Sequence, residues 1–404
     1  MTIKDVVASA EQITSWQEDL YKDLHRHPEL SMQEQRTRKV IADKLGEFGY
    51  AVHEVGGGVV GILENGQGKK VLFRADFDAL PVQEDTGLDY ASTDTGTTKD
   101  GETTPVMHAC GHDMHTAAAL GAASLMASHR DAWSGTYIAL FQPGEEIAAG
   151  AKSMVDDNLG EVIPKPDVAL AQHVLGQPAS GHVGTTAGPV LSTAASLRIT
   201  VHGKGSHGSM PNLGIDPVLL ASNIVVRLQS IVAREIAPSD FGVVTVGSLH
   251  AGNSANVIPA EATLQLNVRA YDEGIRDQII DAIKRIVHTE CEGMRSPRQP
   301  EIELLDTYPL TDSDETVYET VTRGLVEGLG QDRVEKLAPQ TASEDFSVIP
   351  DALGVPYCYW GFGAFTKDQE VLPNHNPGFA PALQPTLTTG TQAATAAVLS
   401  FLGN

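Results

Sequence analysis

Three apolar runs along this chain each lead into residues that carry chemistry, and that repetition narrows the fold more than any other feature. Residues 71–77 (VLFRADF) read as a strand buried on both faces, running into Asp76 and Asp78. Residues 136–142 (TYIALFQ) read the same way and lead into Glu145 and Glu146. Residues 167–174 (DVALAQHV) close on Gln172 and His173. An Ala/Leu-rich helical stretch, residues 115–129, separates the first two. Strand alternating with helix predicts an α/β domain with a mostly parallel sheet. In such sheets, sites form at the carboxyl ends of the strands, where these polar residues fall.

The middle of the chain changes character. Residues 197–202 (LRITVH) alternate like a half-buried strand. Residues 217–235 form a strongly apolar helical stretch. Residues 243–249 and 262–270 alternate as strands, 272–294 read as a helix, and 301–305 as a closing strand. That β-α-β-β-α-β order is ferredoxin-like. The expectation is therefore a two-domain α/β chain. Residues 1–187 and 305–404 make the catalytic domain, and residues 188–304 are an inserted ferredoxin-like α+β domain. Around the insert, residues 9–27, 33–48, 315–328 and 386–402 read as helices and 356–361 as a strand. With 404 residues, 41% of them hydrophobic, the chain has ample material for more than one core.

Composition excludes some functions. The formal net charge is -24 and no basic run occurs, so nucleic acid is not an expected partner. No run of about 18 or more apolar residues is present, so no membrane span is expected. The first residues carry acids early and lack an apolar signal core, so a secretory leader is not expected. Three cysteines, Cys110, Cys291 and Cys358, suit reduced thiols in a cytoplasm better than a disulfide framework.

The densest chemical cluster is residues 107–116 (MHACGHDMHT), with one cysteine and three histidines just before a helix. Cys110 and His112 are one residue apart, so in an extended or turn segment both side chains point the same way. That pair suits Zn²⁺, although a Cys-x-His also occurs as simple core or loop filler. His108 and His115 read as supporting or helix-starting residues. Glu145 and Glu146 repel one another unless a cation lies near; with a metal, one can ligate while the other takes a proton from water. Their bland reading is an exposed helix N-terminus. His173 and His375, the latter in a loop of turn formers (PNHNP), are each more often structural than ligands when met singly. Asp76 and Asp78 are costly at the end of a buried strand unless paired, and Asp78 suits a role orienting a ligand.

Together these stretches carry a resemblance. Residues 25–31 (HRHPELS), 74–81 (RADFDALP), 108–116, 142–146 (QPGEE), 172–174 (QHV), 203–211 (GKGSHGSMP), 256–259 (NVIP), 343–347 (SEDFS) and 375–377 (HNP) occur in family order. The chain resembles the aminoacylase and hippurate hydrolase branch of the di-zinc aminoacylase/carboxypeptidase metallopeptidase family. In wording it is most similar to actinobacterial N-acyl-glutamine aminoacylases.

The resemblance implies two divalent metal ions, Zn²⁺ or alternatively Mn²⁺ or Co²⁺, with Cys110 as a bridging ligand. It implies His112 and Glu146 on one metal and His173 and His375 on the other. Glu145 would be the general base and acid, Asp78 the supporting aspartate, and Asp76 not a ligand. His207 would polarise the scissile carbonyl, in relatives often from a neighbouring subunit, while Asn256 and Arg269 hold the substrate's carboxylate. Asn212 and Gly144 depart from the family wording, where His and Ala are frequent. The implied activity is hydrolysis of N-acyl-L-amino acids by a cytoplasmic homodimer formed through the inserted lid domain. Alternatives are dipeptidase or carboxypeptidase-like cleavage, N-acetyl-diaminopimelate deacetylation, a non-catalytic metal-binding module, and a hydrolase with Cys110 as nucleophile.

Overall fold

The computed structural model describes residues 2–403. They form two compact units. The first comprises residues up to Val190 with Thr311–Pro339 and Asp345–Asn404; the second is Leu191–Leu310 with Gln340–Glu344. The insert expected at 188–304 differs at both ends and lacks the Gln340–Glu344 segment. Ser192 ties that segment in: its amide donates to the carbonyls of Gln340 and Ala342, and its hydroxyl to those of Thr341 and Ala342.

The first unit is a mixed α/β fold around an eight-stranded sheet. Its centre is four parallel strands in the order Gly135–Gln142, Lys70–Asp76, Val168–Leu175 and Tyr357–Gly363. Every residue of Gly135–Gln142 and Tyr357–Gly363 is buried, as strands covered on both faces require. Two antiparallel strands that the sequence reading did not identify, Ala51–Val55 and Gly58–Asn65, extend one side. Two three-residue strands, Val183–Thr185 and Val334–Lys336, complete the other.

The helix His112–Ser128 begins three residues earlier than its apolar pattern, so His112 opens it. It is almost wholly buried, which explains why its pattern is Ala-rich all round rather than amphipathic. Leu383–Leu402 is its equally apolar neighbour, and Gln17 Nε2 ties the pair together by donating to the Ala117 carbonyl and Thr391 Oγ1.

The second unit is a four-stranded antiparallel sheet in the order Gly242–Ala251, Glu261–Ala270, Thr193–His202 and Glu301–Tyr308. That order is the ferredoxin-like arrangement expected for two β-α-β halves. Leu197, Ile199, Leu264, Leu266 and Val268 alternate onto one face. They pack under Leu220, Ile224 and Leu228 from Pro217–Leu228 and Ile279, Ile283 and Ile286 from Glu273–Gly293. Asp216 and Asp272 cap the two helices, accepting from Val218 N at 2.8 Å and Ile275 N at 2.9 Å. The stretch Pro217–Arg234 is long and apolar enough by composition to cross a membrane, but its inner face is the core of this unit. Because Leu264 is fully buried at the centre of that core, Leu264→Ala should cost about 2–5 kcal/mol in denaturant unfolding. A loss below about 1 kcal/mol would mean that this face is not packed as described.

Candidate active site

The site is assembled at the carboxyl ends of the parallel strands of the first unit. Arg74, completely buried, lies near the end of Lys70–Asp76. It donates to Asp76 Oδ2 at 2.7 Å, to Gln142 Oε1 at 2.8 Å and to Asp345 Oδ1 at 3.4 Å. Gln142 Nε2 also donates to Asp345 Oδ1, at 2.6 Å. One guanidinium thus fixes two adjacent strand ends and the chain before Val348–Leu353.

Asp76 passes this order on. Its Oδ1 lies 2.5 Å from His115 Nδ1, and His115 Nε2 accepts from the Val174 amide at 2.8 Å. Asp76, His112 and His115 lie close enough to hold a cation. Both His115 nitrogens are already engaged, however, so His115 positions its neighbours and leaves ligation to others. Burial opposes the charge on Asp76, but Arg74, then His112 and His115, hold its carboxyl well below the usual range.

Gly111 lets Cys110 and His112 converge. Its φ of 81° is left-handed, and a Cβ there would come within 2.5 Å of Val174 Cγ1. His112 Nδ1 lies 3.0 Å from Asp78 Oδ1. With its proton there, Nε2 carries the lone pair; it is buried without a hydrogen-bond partner. Nε2 lies 3.8 Å from Glu146 Oε1, itself buried and unpartnered, and 4.0 Å from Glu145 Oε2. His173 repeats the pattern: Nδ1 donates to the Val174 carbonyl at 2.8 Å, leaving Nε2 facing Cys110 Sγ at 3.4 Å. Burial, then the nearby His115, push His173 well below its usual pKa, which keeps it neutral as a ligand must be. Burial also opposes charge on His112, yet Asp76, then Cys110 and Asp78, push it well above its usual value. The pocket around its Nε2 therefore favours positive charge.

Glu145 and Glu146 sit in a tight turn after Gly144, whose φ is 56°. The exposed-helix reading of this pair does not hold, since Glu145 is buried and the helical turn is three residues long. The Glu146 amide donates to Asp78 Oδ2 at 3.1 Å and the Gly144 amide to Glu34 Oε1 at 2.9 Å. His375, at a left-handed φ of 70°, places Nε2 3.3 Å from Glu146 Oε2. Asn374 anchors that loop by donating to the carbonyls of Cys110 and Val174 at 3.2 and 3.3 Å.

These atoms form two groups on a shared thiol: Cys110 with His112 and His173, and Cys110 with Glu146 and His375. The same atoms also bring His112 together with Glu145 and Glu146, whereas His173 and His375 fall in separate groups on the thiol. Each group offers three ligands, a number suited to a catalytic metal that keeps an open position. The unpartnered Nε2 and carboxylate oxygen are what a cation would satisfy, so the donor set fits two divalent ions with Cys110 between them.

His207, Asn256 and Arg269 belong to the second unit. His207 pairs with Val257 in a two-residue ribbon, and the Gly208 amide donates to the Asn256 carbonyl at 2.7 Å. His207 Nδ1 accepts from Ser209 N at 3.2 Å, which leaves Nε2–H as an exposed donor. Asn256 Oδ1 lies 3.0 Å from Ser254 Oγ. Arg269 stands on the sheet face opposite the helices, donating to Asn267 Oδ1 at 2.9 Å and Ser343 Oγ at 3.2 Å.

Sequence reasoning overlooked the parts that hold these groups in place. Arg74, Glu34 and Asn374 all act through contacts remote in sequence, whereas the supporting reading of His115 agrees with its two engaged nitrogens. His25 is another overlooked support: wholly buried, it bridges Glu84 Oε1 at 3.1 Å and, at 2.6 Å, Oδ2 of Asp113, the residue after His112.

A model of peptidase family M20/M25/M40 matches residues 72–400. A hippurate hydrolase of Campylobacter jejuni is 35% identical over 368 residues, covering 90% of both chains. Thermostable carboxypeptidase 1 of Saccharolobus solfataricus is 33% identical over 377 residues, covering 91% of each. A dinuclear metal binding peptidase of the M20 family from Bacillus subtilis superposes with a TM-score of 0.78 at 27% identity, covering 97% of this chain and 99% of that one. Such a fold and ligand cluster define a metal-dependent hydrolase. The chain belongs to the M20/M25/M40 peptidase family, as the resemblance implied.

The His25 bridge has a pH signature. Burial opposes its charge, but Asp113, then Glu84, raise its pKa to about 9 from the usual 6.5. The stability it contributes is complete below about 6.5 and is lost as pH rises through about 9. His25→Gln should therefore lose part of the decline in melting temperature expected of the parent protein between pH 7 and 10; an unchanged difference across that range would refute the bridge.

Proposed function

We propose that this hydrolase cleaves the amide bond of N-acyl-L-amino acids, N-acyl-glutamine among them, to a carboxylic acid and a free amino acid. The observation that carries the reading is Glu145, a buried carboxylate next to Glu146 and within 4.0 Å of His112 Nε2. It stands where it can move a proton beside the ligand cluster without being needed as a ligand. The hippurate hydrolase relative supports the substrate class, hippurate being an N-acyl amino acid.

Two divalent cations, Zn²⁺ or alternatively Mn²⁺ or Co²⁺, would supply Lewis acidity that lowers the pKa of an attacking water. Cys110, His112 and His173 would hold one, and Cys110, Glu146 and His375 the other. Asp78 keeps the His112 proton on Nδ1 and fixes the Glu146 amide. Glu145 takes the proton of the attacking water and returns it to the departing amine nitrogen. By the family resemblance, His207 would donate from Nε2 to the developing oxyanion, a role that relatives often fill from a neighbouring subunit. By the same resemblance, Arg269 and Asn256 would hold the substrate's carboxylate through charge-assisted hydrogen bonds.

Cleavage of short peptides at the same site is favoured by the carboxypeptidase relative. A nucleophilic role for Cys110 is disfavoured: its thiol is buried, and burial, then Glu146, raise its pKa, whereas a nucleophilic thiol needs it lowered. The three free, buried cysteines favour a cytoplasmic setting. A homodimer through the second unit is favoured by the unpaired edge of Gly242–Ala251 and by exposed Val218, Leu219 and Val226 on Pro217–Leu228.

Glu145→Gln should bind metal normally and lose about 100-fold or more of turnover; a variant keeping most of its rate sinks the base assignment. Chelation should abolish activity and added Zn²⁺, Mn²⁺ or Co²⁺ restore it, while a chelator-insensitive enzyme would revive the thiol mechanism. Substrate class is read from a panel of N-acyl amino acids, dipeptides and N-acetyl-diaminopimelate assayed for free amine. Arg269→Ala should raise KM for N-acyl amino acids by about 10-fold to 100-fold, as loss of a charged hydrogen bond would, with amide analogues of the carboxylate unaffected. Equal losses on both substrate sets would remove Arg269 from carboxylate binding.

A further inference from the structure

The turn that carries Glu145 is strained and enclosed. Gly144 sits at φ 56° and Ala148 at φ 51°. The Gly144 carbonyl accepts from both Ala149 N and Gly150 N, at 3.2 and 3.1 Å. Such a backbone persists only where its surroundings impose it. Two carboxylates do so from opposite ends. Asp78 Oδ2 accepts the Glu146 amide, and Glu34 Oε1 accepts the Gly144 amide. Glu145 is the single residue between the two anchored amides.

Glu34 is 5% exposed and makes a second bond through the same oxygen, from the Met32 amide at 2.8 Å. Met32 is itself left-handed, at φ 63°. It packs under the turn so closely that a Cβ on Gly144 would come within 2.6 Å of its sulfur. The neighbouring Ser31 Oγ donates to Asp78 Oδ2 at 2.6 Å. Residues 31–34 thus form a floor beneath the turn, joined to both of its anchors.

We infer that Glu34 is a positioning residue for Glu145: its Oε1 pins the Gly144 and Met32 amides together and so fixes where the Glu145 carboxylate lies. The inference rests on the reading of Glu145 as the proton-transferring base. Glu34 acts through backbone, accepting from the amides of Met32 and Gly144. What matters is an acceptor oxygen at that point. A glutamine, with its amide oxygen in place of Oε1, preserves it, and an alanine removes it.

The test compares Glu34→Ala and Glu34→Gln with the parent enzyme. Three quantities are measured: kcat and KM on an N-acyl amino acid that the parent cleaves, metal per chain, and deuterium exchange of residues 143–150 in the metal-free protein. Glu34→Ala should speed exchange in that peptide and lower kcat by about 10-fold to 100-fold, the scale of a misplaced catalytic group. Its KM should stay within about threefold. Glu34→Gln should restore both exchange and kcat to within about threefold of the parent. Parent-like exchange or kcat in Glu34→Ala overturns the inference. So does a Glu34→Gln protein that folds but loses turnover, since the charge and not the acceptor would then matter. If Glu34→Ala does not fold, the glutamine variant alone decides on that last criterion. Failure of the underlying reading is separately visible, because Glu145→Gln would then keep its turnover whatever Glu34 does.

Discussion

The arrangement depends on Arg74. A fully buried guanidinium is costly unless its donors are met, and here Asp76, Gln142 and Asp345 meet them. These partners come from two adjacent strand ends and from the chain ahead of a helix, so one charge holds three segments together. From Asp76 the order continues to His115, from His115 to the Val174 amide, and so to the strand end that carries His173. Polar chains of this kind are worth more than their separate bonds when every member is satisfied. The candidate ligand His173 is therefore set by a cation three contacts away.

Proton placement separates the histidines that can ligate from those that cannot. His112 and His173 each give their Nδ1 proton to an oxygen, Asp78 for one and the Val174 carbonyl for the other. Each then turns Nε2 toward the cluster, the arrangement in which an outer partner fixes tautomer and ring orientation. His115 lies within reach of the same space, but both its nitrogens are occupied. Distance alone would make it a ligand; hydrogen bonding makes it a support.

What the sequence revealed follows from what kind of information each feature needs. Strand ends rich in acids and histidine were legible because periodicity and residue type are local, and so were the parallel sheet and the ferredoxin-like order. Ala51–Val55 and Gly58–Asn65 escaped notice because the first is a mostly exposed edge strand and the second carries no chemistry. The start of the helix at His112 was misplaced because its polar first turn is buried against the site rather than marked by apolar spacing. Glu34 and Asn374 could not be recognised at all. Each works on backbone groups far away in sequence, Gly144 for one and Cys110 with Val174 for the other. The grouping of the candidate ligands was likewise a matter of three dimensions: His112 and Glu146 flank the same space, and the thiol of Cys110 lies beside His173 on one side and His375 on the other.

Charge explains why so acidic a chain can bear this site. Glu34, Asp76, Asp78, Glu145 and Glu146 gather carboxylates within a few residues of one turn and one strand end, in a protein of formal net charge -24. Arg74 neutralises Asp76, and backbone amides meet Glu34 and Asp78, but Glu146 Oε1 and His112 Nε2 are buried without a hydrogen-bond partner. Burying such groups is unfavourable unless something positive completes them. The raised pKa of His112 expresses the same demand, because Asp76, then Cys110 and Asp78, overcome the burial that would keep it neutral. A divalent cation answers that demand without occupying Glu145 or disturbing the amides that hold its turn. The features that make the pocket attract a cation thus leave one carboxylate, Glu145, beside it, the placement on which the proposed proton transfer rests.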